Sequence, residues 1–204
     1  LYRPKKVDQP LPGIIGPCGH SAIGRAHPTY QTLHINLVKR GYVVLSYDPV
    51  GQGERSQFWN VEEGKSKYNL QCGEHCVLGT PLYLLGTNLA RYRIWDGMRA
   101  IDYLASRKDI DPKKIGASGC SGGGTLTSYL MALDDRVACA APSCFVTSLR
   151  RLLDTIGPQD AEQNIHGQLA FGMDHADYLL MRAPKPTLIL ASTHDFFDIQ
   201  GTWD

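Results

Sequence analysis

The chain lacks any apolar run approaching the roughly 20 residues that a bilayer-spanning helix needs, so it offers no candidate membrane helix. It also lacks a dominant charge. Lys and Arg number 21 against 20 Asp and Glu, a formal net charge of +1, which removes the general electrostatic case for a nucleic-acid or anionic-membrane partner. Internal repeats, low-complexity tracts and linkers are absent as well. The N-terminus, Leu1-Tyr2-Arg3-Pro4-Lys5-Lys6, has neither a methionine nor the pattern of a signal peptide; a processed or trimmed chain is expected, and the compartment is unrecorded. Zinc-site spacing is missing too. Cys72-Gly-Glu-His75-Cys76 is one cluster without the further separated ligand pair that a tetrahedral site requires, so no metal is expected. The other four cysteines, Cys18, Cys120, Cys139 and Cys144, lie in or beside apolar strand-like runs, where a free cysteine behaves as a small hydrophobe. A Cys72 to Cys76 or longer-range disulfide stays open if the protein is exported.

What is present is ordinary globular material. With 204 residues, 43% hydrophobic and 20% charged, the chain can bury one substantial core and reads as a single domain over 1–204. Pro12 to Cys18 and Tyr42 to Tyr47 read as buried strands, and Tyr30, Leu33, Leu37 and Val38 between them mark one apolar helical face. Strand, helix, strand at this spacing is a parallel crossover unit. Ile94, Trp95, Met98, Ile101 and Ala105 mark a further helix, Lys114 to Ser118 a strand, and Leu126, Tyr129, Leu130 and Leu133 the next helix. Val137 to Pro142 and Thr187 to Ser192 complete the strands. Four crossovers in series predict an α/β fold, a mainly parallel sheet with helices on both faces. Two long connections near 49–89 and 143–185 read as irregular. They leave the C-terminal ends of strands, where open α/β sheets bind ligands, and are expected to wall a pocket.

Gly119-Cys120-Ser121-Gly122-Gly123 spells G-x-S-x-G directly after a strand and before a helix. A serine on so sharp a turn is pushed out of the sheet as a nucleophile, and a Cβ two residues to either side would collide with neighbouring backbone. Such a serine needs a base, a carboxylate to orient that base, and donors for the oxyanion. Asp195, in Thr193-His194-Asp195 just beyond a late strand, is the candidate acid, with Asp198 its nearest competitor. Candidate oxyanion donors are the backbone N–H of Gly122 and that of His20, on the loop Gly16-Pro17-Cys18-Gly19-His20-Ser21.

Together the G-C-S-G-G elbow, the G-P-C-G-H loop, the Y-D-P-V-G-Q-G-E-R segment after the second strand and the S-T-H-D segment resemble α/β-hydrolases of the acetyl-xylan-esterase and dienelactone-hydrolase-like branch. Prolyl-oligopeptidase-type catalytic domains lie nearby. The elbow is also similar to that of glucuronoyl esterases, but those carry arginine directly after the serine, where this chain has Gly122. That departure argues against 4-O-methylglucuronoyl specificity.

The resemblance implies a serine carboxylic-ester hydrolase working through an acyl-enzyme, with Ser121 and Asp195 catalytic, Gly122 and His20 forming the oxyanion hole, and no cofactor. The implied substrate is a small-molecule or polysaccharide ester, with acetyl esters on carbohydrate preferred; a polysaccharide esterase would be secreted or periplasmic. It further implies a catalytic histidine on a loop after the last strand. No histidine follows Asp195, and His20, His75, His166 and His175, read as loop residues, lack that position. Either the sequence is a fragment missing its first strand and the histidine segment, which is the expectation, or the base has been lost. A prolyl-oligopeptidase-type peptidase and a non-catalytic binding protein on the same fold are the alternatives. The contributions of Arg91, Arg93 and Trp95 are not legible.

Overall fold

β-Branched and aliphatic residues at alternate positions set the sheet, and glycines let it pack closely on its helices. The computed structural model describes residues 1–68 and 71–204. In chain order these form β1 (Leu11–Ile15), α1 (Pro28–Lys39), β2 (Val43–Leu45), a short hairpin of β3 (Trp59–Asn60) and β4 (Lys65–Ser66), α2 (Gln71–Leu84), α3 (Leu89–Ala105) and β5 (Ile110–Cys120). Then follow α4 (Gly122–Leu133), β6 (Val137–Ser143), α5 (Leu149–Thr155), α6 (Gln168–Phe171), α7 (His175–Leu180) and α8 (Gln200–Trp203).

The main sheet has the order β2-β1-β5-β6, and every pair in it is parallel. Opposite parity along β1 reveals what covers each face. A methyl on Gly13 would touch Leu104 of α3, whereas one on Gly16, just past the strand, would meet His34 of α1. Helices therefore lie on both faces, as the α/β reading expects. The core runs between α3, α4 and the sheet, through Ile15, Val43, Ile101, Leu104, Ile115, Leu126, Leu130 and Val137.

Four expectations need correction. Residues 187–192 do not form a continuous strand: Thr187 and Leu190 make isolated parallel bridges to Ala140 and Ser143, although Leu188 N–H donates to Ala140 O at 2.9 Å and Cys144 N–H to Leu190 O at 2.8 Å. This segment is paired on one side only, and Leu188 and Leu190 stay exposed. Second, α1 buries His34 rather than its apolar stripe, with Leu33 40% exposed. Third, Trp95 and Leu133 face outward, at 57% and 49% exposure. The buried positions of α3 are Leu89, Ala90, Arg93, Gly97, Ile101 and Leu104, with Ile94, Met98 and Ala105 packed against the core as expected. Fourth, the connection 49–89 contains α2, a helix of 14 residues with Pro81 inside it. Glycines and a proline hid that helix from pattern reading. The 143–185 connection likewise carries three short helices.

His34 is the buried residue of α1, and His175 stacks on Phe145 with ring centroids 4.3 Å apart. Burial pulls both rings down to about 4. In the unfolded chain they protonate near pH ~6.5, so the unfolded state binds more protons between those values. Their contribution to stability is complete above about pH 6.5 and is lost as pH falls towards 4. Urea unfolding of the full-length protein should show a midpoint that declines across this window. A His175→Phe variant should decline less steeply, and a flat midpoint in the parent protein would contradict the argument.

Candidate active site

Ser121 stands alone between the end of β5 and the first residue of α4, with φ 58 and ψ −122. A non-glycine residue held at such a φ costs roughly 1–3 kcal/mol and persists only where its surroundings impose it. Those surroundings are visible. Ser121 N–H donates to Ser143 O at 2.9 Å, and Thr125 N–H donates to Ser121 O at 2.9 Å. A methyl on Gly119 would lie 2.6 Å from both Pro17 O and Gly123 O, and one on Gly123 would strike Pro17 O. The half-buried Ser121 side chain is thus presented at the C-terminal edge of the sheet, on the N-terminus of a 12-residue helix whose dipole favours negative charge there.

The loop after β1 packs against this elbow. Gly19 comes so close that a Cβ on it would sit 3.2 Å from Ser121 Cβ. Gln52 Nε2 donates to Gly19 O at 2.9 Å and fixes the loop from behind. Asp48, itself buried, accepts from Arg25 N–H at 2.7 Å and Glu54 N–H at 3.0 Å, and pairs with the Arg25 guanidinium. The Y-D-P-V-G-Q-G-E-R segment therefore braces the loop that carries His20. The His20 ring lies against Gly122, where a methyl would come within 2.8 Å of Nδ1 and Cε1. Ser121, Gly122 and His20 are accordingly brought together.

A buried charge cluster behind His20 escaped sequence reading. His20 Nε2 lies 2.7 Å from Asp160 Oδ2 and 3.3 Å from Glu162 Oε1. His75, from α2, places Nδ1 2.9 Å from the same Asp160 oxygen and Nε2 2.9 Å from Val50 O. Arg93, from α3, pairs with Glu162. Asp160, Glu162, His75 and Arg93 are all buried. Nothing local in the sequence marks them, because the partners come from both long connections and from a helix read only for its apolar face. Glu74, in the Cys72 to Cys76 segment, turns inward to accept from Gln57 N–H at 2.8 Å and from the Ser56 and Ser66 hydroxyls, so it secures the hairpin. Cys72 and Cys76 are free and exposed.

Electrostatics assign the charges. Burial pushes the Asp160 carboxyl up, but hydrogen bonds from His20 and His75 outweigh it and hold the group below the usual carboxylate range. Burial likewise opposes charge on His20, yet the bond to Asp160 prevails and pushes it up to about 9. Burial, assisted by Arg93, pulls His75 down. Glu162 is paired with Arg93, and Asp160 with His20 and His75. Ligand atoms of His20, His75, Asp160 and Glu162 all lie within 4.8 Å of one another, a spacing that suits a metal ion. Arg93 already serves as the counter-charge of Glu162, however, and a dication would leave the buried cluster with a net positive charge.

Asp195 follows the 187–190 segment, half-buried, and its Oδ1 accepts from Phe197 N–H at 3.3 Å in a local turn. Burial pushes the Cys144 thiol up, and the nearby Asp195 carboxylate adds to the effect. Asp198 accepts from Gln200 N–H at 3.0 Å and pairs with Arg151. Among the described residues no histidine bonds to Asp195. His166 and His194 are exposed, His27 caps α1, and His75 and His175 belong to helices rather than to loops.

Comparison with known proteins agrees with this geometry. The family model of the prolyl oligopeptidase family matches residues 84–197, more than half of the chain. The Bacillus subtilis (strain 168) protein named "Putative hydrolase YtaP" is 26% identical over 213 residues, covering 96% of this chain and 64% of that protein. Among solved structures, a Bacteroides fragilis NCTC 9343 protein titled "putative acetyl xylan esterase" superposes with a TM-score of 0.75 at 19% identity, over 92% of this chain and 53% of that one. Methylesterase BT1017 gives 0.69 at 28% identity, over 96% and 39% respectively. A CE15 glucuronoyl esterase from Teredinibacter turnerae T7901 gives 0.56 at 17% identity, over 97% and 53%. The chain thus spans less than two thirds of each of these relatives. With a positive-φ serine between strand and helix inside the matched stretch, on an α/β-hydrolase fold, this chain belongs to the prolyl oligopeptidase family.

Proposed function

We propose that the full-length protein is a serine carboxylic-ester hydrolase. The observation that carries the reading is the backbone of Ser121, held at φ 58 between β5 and α4 by glycines that only close packing requires. Ser121 Oγ attacks the ester carbonyl carbon, and its proton passes to a histidine oriented by Asp195. The N–H groups of Gly122 and His20 hold the oxyanion; each preformed donor of this kind lowers the barrier by about 2.7–4 kcal/mol. Collapse expels the alcohol, which takes the proton back from the histidine. Water then attacks the acyl-enzyme by the same route and releases the acid. Among the described residues no histidine bonds to Asp195, and the chain spans less than two thirds of its relatives.

Short acyl esters on carbohydrate are the proposed substrates. The name of the acetyl xylan esterase relative supports this choice, and Gly122 directly after the serine argues against a 4-O-methylglucuronoyl ester. The family assignment supports a second reading, a proline-directed peptidase.

A fluorophosphonate probe should label the full-length protein, and Ser121→Ala should abolish that labelling. Ligand binding without labelling would instead favour a binding protein. Turnover of p-nitrophenyl acetate should exceed that of a proline-containing peptide amide; cleavage of the amide alone would select the peptidase. Asp195→Asn should lower kcat by about 10⁴-fold, by analogy with loss of the orienting carboxylate in a serine triad. An equal loss in Asp198→Asn with Asp195→Asn unaffected would move the acid to Asp198.

A further inference from the structure

We infer that the side chain of His20, and not only its backbone N–H, serves the reaction: its imidazolium, clamped by Asp160, is a third and charged oxyanion donor. This rests on the serine-hydrolase reading above.

The geometry begins with the two backbone donors. Gly122 and His20 are adjacent across the loop-to-elbow contact, and the His20 ring fills the space where a Gly122 side chain would project. Its Nε2 edge is committed to Asp160 at 2.7 Å, with Glu162 at 3.3 Å. The Nδ1 edge is therefore the one that borders Gly122, next to the nucleophile. The ring is also partly open, 18% exposed at the side chain, whereas its partners Asp160, Glu162 and His75 are closed off. A polar edge bordering Gly122 and an opposite edge tied to a buried carboxylate are what a donor aimed at substrate requires.

A His–Asp pair beside a serine also suggests a general base. Charge decides against that role here. Held by Asp160, the ring is pushed up to about 9 and is protonated at neutral pH, so it has no lone pair to accept the serine proton. It can donate, and a cationic donor in a water-poor site stabilises developing negative charge more than a neutral one. No proton leaves the ring in this scheme. Nδ1–H bonds the oxyanion as the carbonyl π-electrons move onto oxygen, and it is released when the tetrahedral intermediate collapses.

Every group facing the ring bears on its titration. Asp160 and Glu162 come from the 143–185 connection, His75 from α2 at a ring distance of 5.1 Å, Cys72 from the first turn of α2, and Arg93 stands behind Glu162. Burial lowers the His20 pKa, while the Asp160 bond, followed by Cys72, raises it. The charged, active form then prevails at neutral pH and is lost as pH rises through about 9.

The test uses p-nitrophenyl acetate and the full-length protein, with kcat and KM followed across pH. The parent enzyme should show a descending limb in kcat near pH 9. His20→Gln keeps the backbone donor and should lose on the order of 10²-fold in kcat at pH ~7, with KM little changed, and should lack that limb. Asp160→Asn should retain the limb but move it to lower pH, a displacement that a purely structural role would not produce. Equal kcat in His20→Gln, or a limb unmoved in Asp160→Asn, would overturn the inference. Fluorophosphonate labelling of Ser121 is read separately: its absence in the parent protein would mean that the hydrolase reading has failed.

Discussion

Three segments far apart in sequence meet on one carboxylate oxygen. Asp160 Oδ2 receives His20 from the loop after β1 and His75 from α2, while Asp160 itself belongs to the long connection after β6. Burying such a group is costly unless its partners are fixed, and removing any one of them would strand the others. The arrangement of loops over the sheet edge therefore depends on this junction more than on any apolar contact. Its neighbours extend the dependence: Glu162 reaches Arg93 on α3, and His75 reaches the backbone at Val50, inside the segment that braces the loop after β1.

The sequence disclosed the parts of the molecule whose physics is local. Strand and helix around Ser121 follow from periodicity and glycine placement over about 20 residues, and β1, β2, β5 and β6 lie where alternating or β-branched runs put them. The steric reason for Gly119 and Gly123 was legible before any coordinates, because a nucleophile elbow leaves room for nothing larger. What stayed hidden is non-local. Helix α2 carries glycines and a proline and shows no clean apolar face, and its identity comes from tertiary contacts such as Glu74 with the hairpin and His75 with Asp160. The contribution of Arg93 was not legible in the sequence. Only the fold shows that it is buried against Glu162.

Histidines illustrate the same boundary. Seven are present, and their residue type gives no hint of which is core, cap or site. His34 and His175 prove to be buried and neutral, His27 caps a helix, and His20 is held charged. Each fate is set by what lies across the ring, which pattern and spacing do not encode.

Helix α4 is enclosed from Gly122 through Met131 without interruption. An element buried on every side has almost no freedom to shift, so the position of Ser121 is effectively frozen by the same packing that stabilises the core. Change is then divided between two compartments. Residues around the elbow are evolutionarily costly to alter, since a single added methyl meets backbone, whereas the connections 49–89 and 143–185 can vary in shape provided they still deliver His75 and Asp160. Variation would reshape the walls around a stationary serine, which lets the surroundings of Ser121 diverge while its own position is kept.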